Sequence, residues 1–326
     1  GSSCATTSST GARPRSSMAG SRAAELRRAS VETILAGQSP EGGYVAAPAF
    51  AQYGYAWLRD GAFVADAMSL AGEEESAERF FDWAAAIVRR GGELRTRYRL
   101  DGSDDESDWP QRQWDGWGLW LWALERHRER GGGDRWQTEA EDVRRRLRGF
   151  WREPCHDWWE EREGLHAVTL GCLLAGGVDD PELERVFREE ADRRLDASVL
   201  ALAAPLGVVA PEELPLDELR AQLVSAGGGV HRHADDEYYG GGEWLLLTAL
   251  LGLVELRLGH ANDARRRLEW VEAHAEPGGA LPEQSQDYLL RPERYEPWVE
   301  RWGPPPSPLL WSHAMYLVLV HELERA

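Results

Sequence analysis

The chain has 326 residues, 42% of them hydrophobic, and no charge-free apolar run approaches the roughly 18 residues of a membrane span, so it reads as a soluble globular protein. Its 37 basic and 56 acidic residues leave a formal charge of −19. That balance argues against nucleic acid or an anionic membrane as partner and is compatible with a neutral substrate.

Residues 1–20 are rich in Ser, Thr, Gly and Ala and have no apolar core for a signal peptide. They are expected to be a disordered leader or an added remnant, with Met18 as a candidate start. No Gly/Ser or Pro linker follows, so residues 21–326 are expected to form one domain. Cys4, Cys155 and Cys172 stand at unrelated spacings without a C-x-x-C pair, which points to free thiols and a reducing, cytoplasmic location. All 37 basic residues are arginine, a mark of a GC-rich genome or of salt adaptation rather than of mechanism.

Hydrophobic periodicity predicts about twelve helices, at 22–38, 58–72, 76–91, 111–131, 136–153, 166–177, 181–193, 195–203, 213–225, 241–259, 261–275 and 308–325. They alternate in kind. Residues 244–256, "WLLLTALLGLVEL", are apolar all round, as a buried helix requires. The following "NDARRRLEWVEAHA" keeps Ala264, Leu268, Val271 and Ala275 on one stripe. Buried "WDGWGLWLWAL" is likewise followed by an amphipathic helix with Ala140, Val143, Leu147, Phe150 and Trp151 at helical spacing. Such alternation predicts an all-α fold of two concentric rings, an (α/α)6 barrel of six hairpins. An α-solenoid would show a fixed-period motif, and none is present.

Polar–aromatic segments fall between these helices, where function is commonly carried. In "YGYAWLRDGAF", Arg59 opens a predicted helix, a position the dipole disfavours for a cation, while Asp60 suits it. The pair reads either as an Asp cap with a surface Arg or as a charged pair for sugar hydroxyls beside Tyr53 and Trp57. In "DWPQRQWDGWG", Trp114 and Trp117 are expected in the core, and Trp109, ahead of Pro110, is the better candidate for stacking on a sugar ring. In "CHDWWEEREGL", Glu160 and Glu161 follow Trp158 and Trp159. A carboxyl against an aromatic wall has its charged form disfavoured and can serve as a proton donor; the plainer alternative is a core tryptophan next to two solvated acids. In "HRHADDEYYGGGEW", a metal site of His231, His233, Asp235 and Asp236 is weakly supported, because H-x-H with acids has no partner cluster nearby. Arg232 with Asp235 or Asp236, just ahead of Tyr238, makes a better hydroxyl-binding set. In "GGALPEQSQD", Glu283 follows a proline in a Gly-rich turn and by itself reads as an ordinary loop acid.

In this order, "YGYAWLRD", "HDWWEEREG", "RHADDEYYGGGEWLLLTALLG", "GGALPEQ" and "PLLWSHAMYLVL" resemble glycoside hydrolase family 15, the glucoamylase family, from about Tyr53 to Leu323. The resemblance implies an (α/α)6 catalytic domain that acts on carbohydrate without a metal or other cofactor. It implies an exo-acting, inverting α-glucosidase releasing β-glucose from the nonreducing end of α-glucans or short α-gluco-oligosaccharides, isomaltose-type saccharides or trehalose included. Glu160 matches the family's general acid and Glu283 its general base. Tyr53, Trp57, Arg59, Asp60, Arg232, Asp236 and Tyr238 match its sugar-binding residues; Trp244 and Trp311 match its site aromatics, and Trp159 joins them. Inverting chemistry implies carboxyl groups roughly 6.5–9.5 Å apart. Many bacterial relatives carry a β-sandwich domain ahead of the barrel, and none fits within this chain. The segment containing Trp109 matches only loosely. Two other classes compete: a catalytically silent sugar-binding module on the same barrel, which needs neither glutamate, and a terpenoid cyclase. The latter's D-D-x-x-D motif fails because Tyr239 stands where its last acid belongs.

Overall fold

The computed structural model describes residues 15–189, 191 and 194–326. Its thirteen helices among these residues are, in chain order, α1 Arg15–Ala36, α2 Leu58–Ala71, α3 Glu74–Arg90, α4 Asp115–Glu129, α5 Gln137–Phe150, α6 Ala167–Ala175, α7 Pro181–Glu189, α8 Leu200–Ala203, α9 Leu216–Leu223, α10 Leu245–Arg257, α11 Ala261–Ala273, α12 Tyr295–Trp302 and α13 Leu310–Arg325.

The expected alternation has a direct geometric meaning. Helices α2, α4, α6, α8, α10 and α13 each pack on the next, and α13 returns to α2, so the inner ring closes. The closure excludes an open solenoid. Every residue of α10 from Leu245 to Glu255 is buried, as is every residue of α2 from Leu58 to Ser69. Burying each such leucine contributes on the order of 1.5–3 kcal/mol. Amphipathic helices lie outside: α1 on α13, α3 on α2, α7 on α6, and α11 on α10. The outer helix α5 turns Ala140, Val143 and Leu147 inward, the stripe read from the sequence. Close approach within the inner ring rests on missing side chains. A Cβ on Gly116 would stand 2.8 Å from the backbone nitrogen of Arg59, and one on Gly118 2.6 Å from the carbonyl of Cys172.

The structure departs from the expected helices chiefly in two places. Helix α1 begins at Arg15, within the segment expected as a leader; residues 1–14, including Cys4, lie outside the described residues. The last turn expected for 181–193 lies largely outside them as well. Helix α12 was not expected at all. Two buried cysteines, Cys155 and Cys172, are free.

Three two-residue antiparallel ladders tie the loops at one end of the barrel: β1 Ala56–Trp57 with β2 Arg97–Tyr98, β3 Cys155–His156 with β4 Glu163–Gly164, and β5 Glu243–Trp244 with β6 Gln284–Ser285. Each abuts one of the polar–aromatic segments. Among the described residues no helix is long and apolar enough to cross a membrane.

Candidate active site

The N-terminal ends of α2, α10 and α13 meet around one pocket of about 430 Å3 of unfilled space. Helix α2 contributes Trp57, Arg59 and Asp60 at its start, α10 is entered through Trp244, and α13 through Leu309 and Trp311. The hairpin between β3 and β4 adds Trp158, Trp159 and Glu160; the loop before β5 adds Arg232, and the turn before β6 adds Glu283. Tyr53 completes the lining of candidates named from the sequence.

Glu160 sits at the tip of a tightly held hairpin, with a left-handed φ of 59°. A residue that is not glycine adopts this conformation at a cost of about 1–3 kcal/mol, and only where its surroundings impose it. Here Asp157 imposes it. Its carbonyl accepts from the Glu160 amide at 3.0 Å, and its carboxylate accepts from the Glu161 amide at 2.8 Å. The Gln113 side chain in turn donates to the Asp157 carbonyl at 2.5 Å.

The surroundings of Glu160 differ from the expected aromatic wall. Its Oε1 accepts from the indole N–H of Trp57 at 3.2 Å and from Arg59 Nη2 at 3.1 Å. It therefore meets an aromatic edge and a cation, not an aromatic face. The buried Trp158 ring packs on Phe63 and Trp311, which also stack on each other, and lines the pocket. Trp159 packs on Trp244 and donates to Asp196 at 2.8 Å.

Arg59 is buried among three carboxylates: Glu160, Asp115 at 3.4 Å and Asp60 at 3.5 Å. Gln113 accepts a further bond from it at 3.0 Å, and its guanidinium lies 5.3 Å from the Trp311 ring centroid. It is thus no stray surface residue. Burial pushes Asp60 up to about 7, against the pull of Arg59, and Asp115 up to about 6 for the same reason. Both acids occupy first turns of inner helices, where the dipole favours negative charge.

Glu283 is held from both sides. Its amide donates to the carbonyl of Pro306 at 2.8 Å, and its carbonyl accepts from the amide of Leu245, the first residue of α10, at 3.2 Å. Burial pushes its carboxyl up to about 8, against Arg232 and hydrogen bonds from Gln284, Tyr238 and Tyr53. A third carboxyl held up by burial thus stands in a turn that by itself reads as ordinary.

Arg232 is clamped. Asp236 takes two hydrogen bonds from it, at 2.8 and 2.5 Å, and Glu161 pairs with it at 2.8 Å. Asp236 is fully buried and does not line the pocket; the structure places it on Arg232. Glu161 also accepts from His233 at 3.0 Å. Although burial opposes it, the His233 hydrogen bond and Arg232 hold its carboxyl down to about 2. Glu161, His233 and Asp236 bring ligand atoms within 4.8 Å of one another. The guanidinium paired with both carboxylates occupies the electrostatic role of a cation there, and His231 is spent on the carbonyls of Gly241 and Gly242.

A second, outer chamber continues from the pocket. Tyr53, Trp159, Glu160 and Arg232 line both. Trp109 and Tyr238 line only the outer one, together with Pro110, Glu161 and three residues of α12, Trp298, Arg301 and Trp302. The Tyr238 hydroxyl is 2.9 Å from that of Tyr53. Trp114 and Trp117 are in the core, as expected. Sequence reasoning missed Gln113, Asp115, Asp157, Asp196 and the α12 side chains. The first two stand in the "WPQRQWDGWG" segment already marked as polar–aromatic, the one available signal.

Residues 21–138 match Glycosyl hydrolases family 15. An isomaltose glucohydrolase of Kribbella flavida is 37% identical, with 92% of each chain covered. The chain belongs to glycosyl hydrolase family 15. A glycosidase variant solved in complex with glucose is 35% identical and superposes with a TM-score of 0.86 over 96% of this chain and 99% of that one. A bacterial glucoamylase complexed with acarbose, at 20% identity, shares the fold with a TM-score of 0.73 over 92% of this chain and 55% of that one. The closed ring of helices is the barrel these relatives share.

Proposed function

We propose that the chain is an exo-acting, inverting α-glucosidase that releases β-glucose from the nonreducing end of short α-gluco-oligosaccharides, with Glu160 as general acid and Glu283 as general base. One observation carries the reading: two glutamates from unrelated loops line a single pocket together with the buried Arg59–Asp60 pair and the buried Trp158 and Trp311. Residues 21–326 act as one catalytic domain in this reading, and the buried free thiols Cys155 and Cys172 fit a cytoplasmic location.

In the reaction, the terminal glucose enters first, and Arg59, Asp60 and Arg232 hydrogen-bond its hydroxyls. Glu160 donates its proton to the glycosidic oxygen as the C–O bond breaks. Oε1 already accepts two hydrogen bonds, so the proton is assigned to Oε2. Glu283 takes a proton from a water that attacks the anomeric carbon from the opposite face, which inverts the configuration. It does so only when ionised; Arg232, Gln284 and the hydroxyls of Tyr238 and Tyr53 favour that form against burial.

The relative named for isomaltose makes that disaccharide the first substrate to try. Release of glucose from isomaltose, maltose, panose and trehalose, with the anomer of fresh product followed by NMR, tests the reading. β-Glucose appearing first from at least one of the four supports it; α-glucose appearing first, or no glucose from any, overturns it.

A further inference from the structure

Resting on that reading, the inference concerns what the outer chamber selects. Glu283 lines the inner pocket alone, whereas Glu160 lines both chambers. Water is activated at the anomeric carbon of the sugar beside Glu283, and the acid protonates the oxygen leaving that carbon. The departing group must therefore extend from Glu160 into the outer chamber. Three of that chamber's side chains, Trp298, Arg301 and Trp302, come from α12, a two-turn helix between the base and α13.

Helix α12 is fixed to the site rather than draped over it. Tyr238 meets the Trp298 ring edge-on at 4.9 Å, and Tyr239 lies 5.7 Å from the same ring. Tyr239 is fully buried at a left-handed φ of 47°, and its hydroxyl donates to the carbonyl of Gly303, the residue that ends α12, at 2.8 Å. The strained Tyr239 and the bond at the end of the helix hold Trp298 against Tyr238, whose hydroxyl reaches Tyr53 inside the pocket. Trp298 and Trp302 remain half-buried and Arg301 exposed, so they keep surface for a ligand. The Arg301 guanidinium lies over one face of the Trp302 ring, 4.7 Å from its centroid, so a hydrogen-bond donor is held on the aromatic surface. Apolar ring faces of pyranoses stack on such surfaces, and guanidinium groups bind their hydroxyls.

We propose that α12 is the specificity element for the leaving group: Trp298, Arg301 and Trp302 bind the sugar ring that departs, and so direct the enzyme to saccharides with a sugar next to the scissile bond. The substrate class is a gluco-oligosaccharide whose second ring sits on α12, rather than a glucoside of an arbitrary alcohol.

The test compares kcat/KM for isomaltose, or for whichever disaccharide of the panel the enzyme cleaves best, with that for α-glucosyl fluoride, whose leaving group is one atom and needs no outer chamber. Trp298→Ala, Trp298→Phe and Arg301→Ala are measured beside the parent; Arg301 is exposed, so its variant keeps the fold if the packed tryptophan variants do not. The ratio of disaccharide to fluoride should fall about tenfold or more in Trp298→Ala and Arg301→Ala, the scale on which a stacking or clamping side chain is felt, and recover partly in Trp298→Phe. Equal losses on both substrates would make α12 a buttress, and unchanged ratios would remove it from substrate binding; either overturns the inference. A parent chain inert on the fluoride and on every disaccharide would instead overturn the α-glucosidase reading, and this inference with it.

Discussion

Glu161 pairs with Arg232 at 2.8 Å through Nη2, the same guanidinium nitrogen that donates to Asp236. The adjacent acids Glu160 and Glu161 thus have separate partners, Arg59 for the first and Arg232 for the second. Glu161→Gln removes a charge from the clamp but leaves Glu160 and its hydrogen bonds in place. The expected result is a rise in KM, since Arg232 is less firmly aimed, with kcat lowered by no more than about tenfold. A Glu160→Gln chain should lose about 10²–10⁴-fold in kcat. Steady-state kinetics of the two variants check this; equal losses in kcat would contradict it.

Much of this arrangement was legible in the sequence, and the illegible parts have physical reasons. Helix α10 announced itself because it is apolar on every side, and α11 because Ala264, Leu268 and Val271 form a stripe. Helix α12 did not. It has only eight residues, none of them buried, and carries Pro297 in its first turn, where proline is tolerated but reads as a loop signal. Arg59, Glu160 and Glu283 were visible as residue types in suggestive segments. That Glu160 meets Trp57 through its N–H, and that Asp115 lies beneath Arg59, depend on contacts across 103 and 56 positions, which no local pattern carries. The raised carboxyl of Glu283 likewise follows from burial supplied by distant elements, not from its neighbours in the chain.

Asp115 and Arg59 make a graded pair of tests. Asp115→Asn keeps the shape and the bond to the Gly116 amide but removes one of three charges around Arg59. Hydrogen bonds to charged groups contribute about 1.5–3 kcal/mol, so kcat/KM should fall roughly ten- to a hundredfold. Arg59→Ala leaves Asp60, Asp115 and Glu160 buried without their shared cation. Breaking buried pairs this way costs about 3–5 kcal/mol, so this variant should lose thermal stability as well as turnover of every substrate. Near-normal kinetics in both would reduce the pair to a helix-end feature.

The buried acids also set a pH dependence of stability. Glu283, Asp60 and Asp115 are raised to about 8, 7 and 6, from ordinary values of 4.5 for Glu and 3.8 for Asp. Between those ordinary values and the raised ones the folded chain holds more protons than the unfolded chain, so stability falls as pH rises. His233, raised chiefly by its hydrogen bond to Glu161 although burial opposes it, acts in the same direction above its ordinary 6.5. Glu161, held down to about 2, contributes stability that is lost only as pH falls below about 4.5. Thermal melts should therefore show Tm declining from pH 5 to pH 8, and Glu283→Gln should flatten the upper part of that decline. A parent Tm that rises across this range would contradict the assignment.

The central claim is the division of labour between Glu160 and Glu283, and the upward push of burial on the Glu283 carboxyl makes the reversed roles the sharp alternative. Hydrolysis of α-glucosyl fluoride needs the base but no protonation of a poor leaving group, so it separates acid from base directly. Glu160→Gln should lose at least about 10²-fold in kcat on isomaltose or the preferred disaccharide, yet hydrolyse the fluoride within about tenfold of the parent chain. Glu283→Gln should lose that much on both substrates. The reverse pattern, with Glu283→Gln sparing the fluoride and Glu160→Gln abolishing its hydrolysis, would contradict the account.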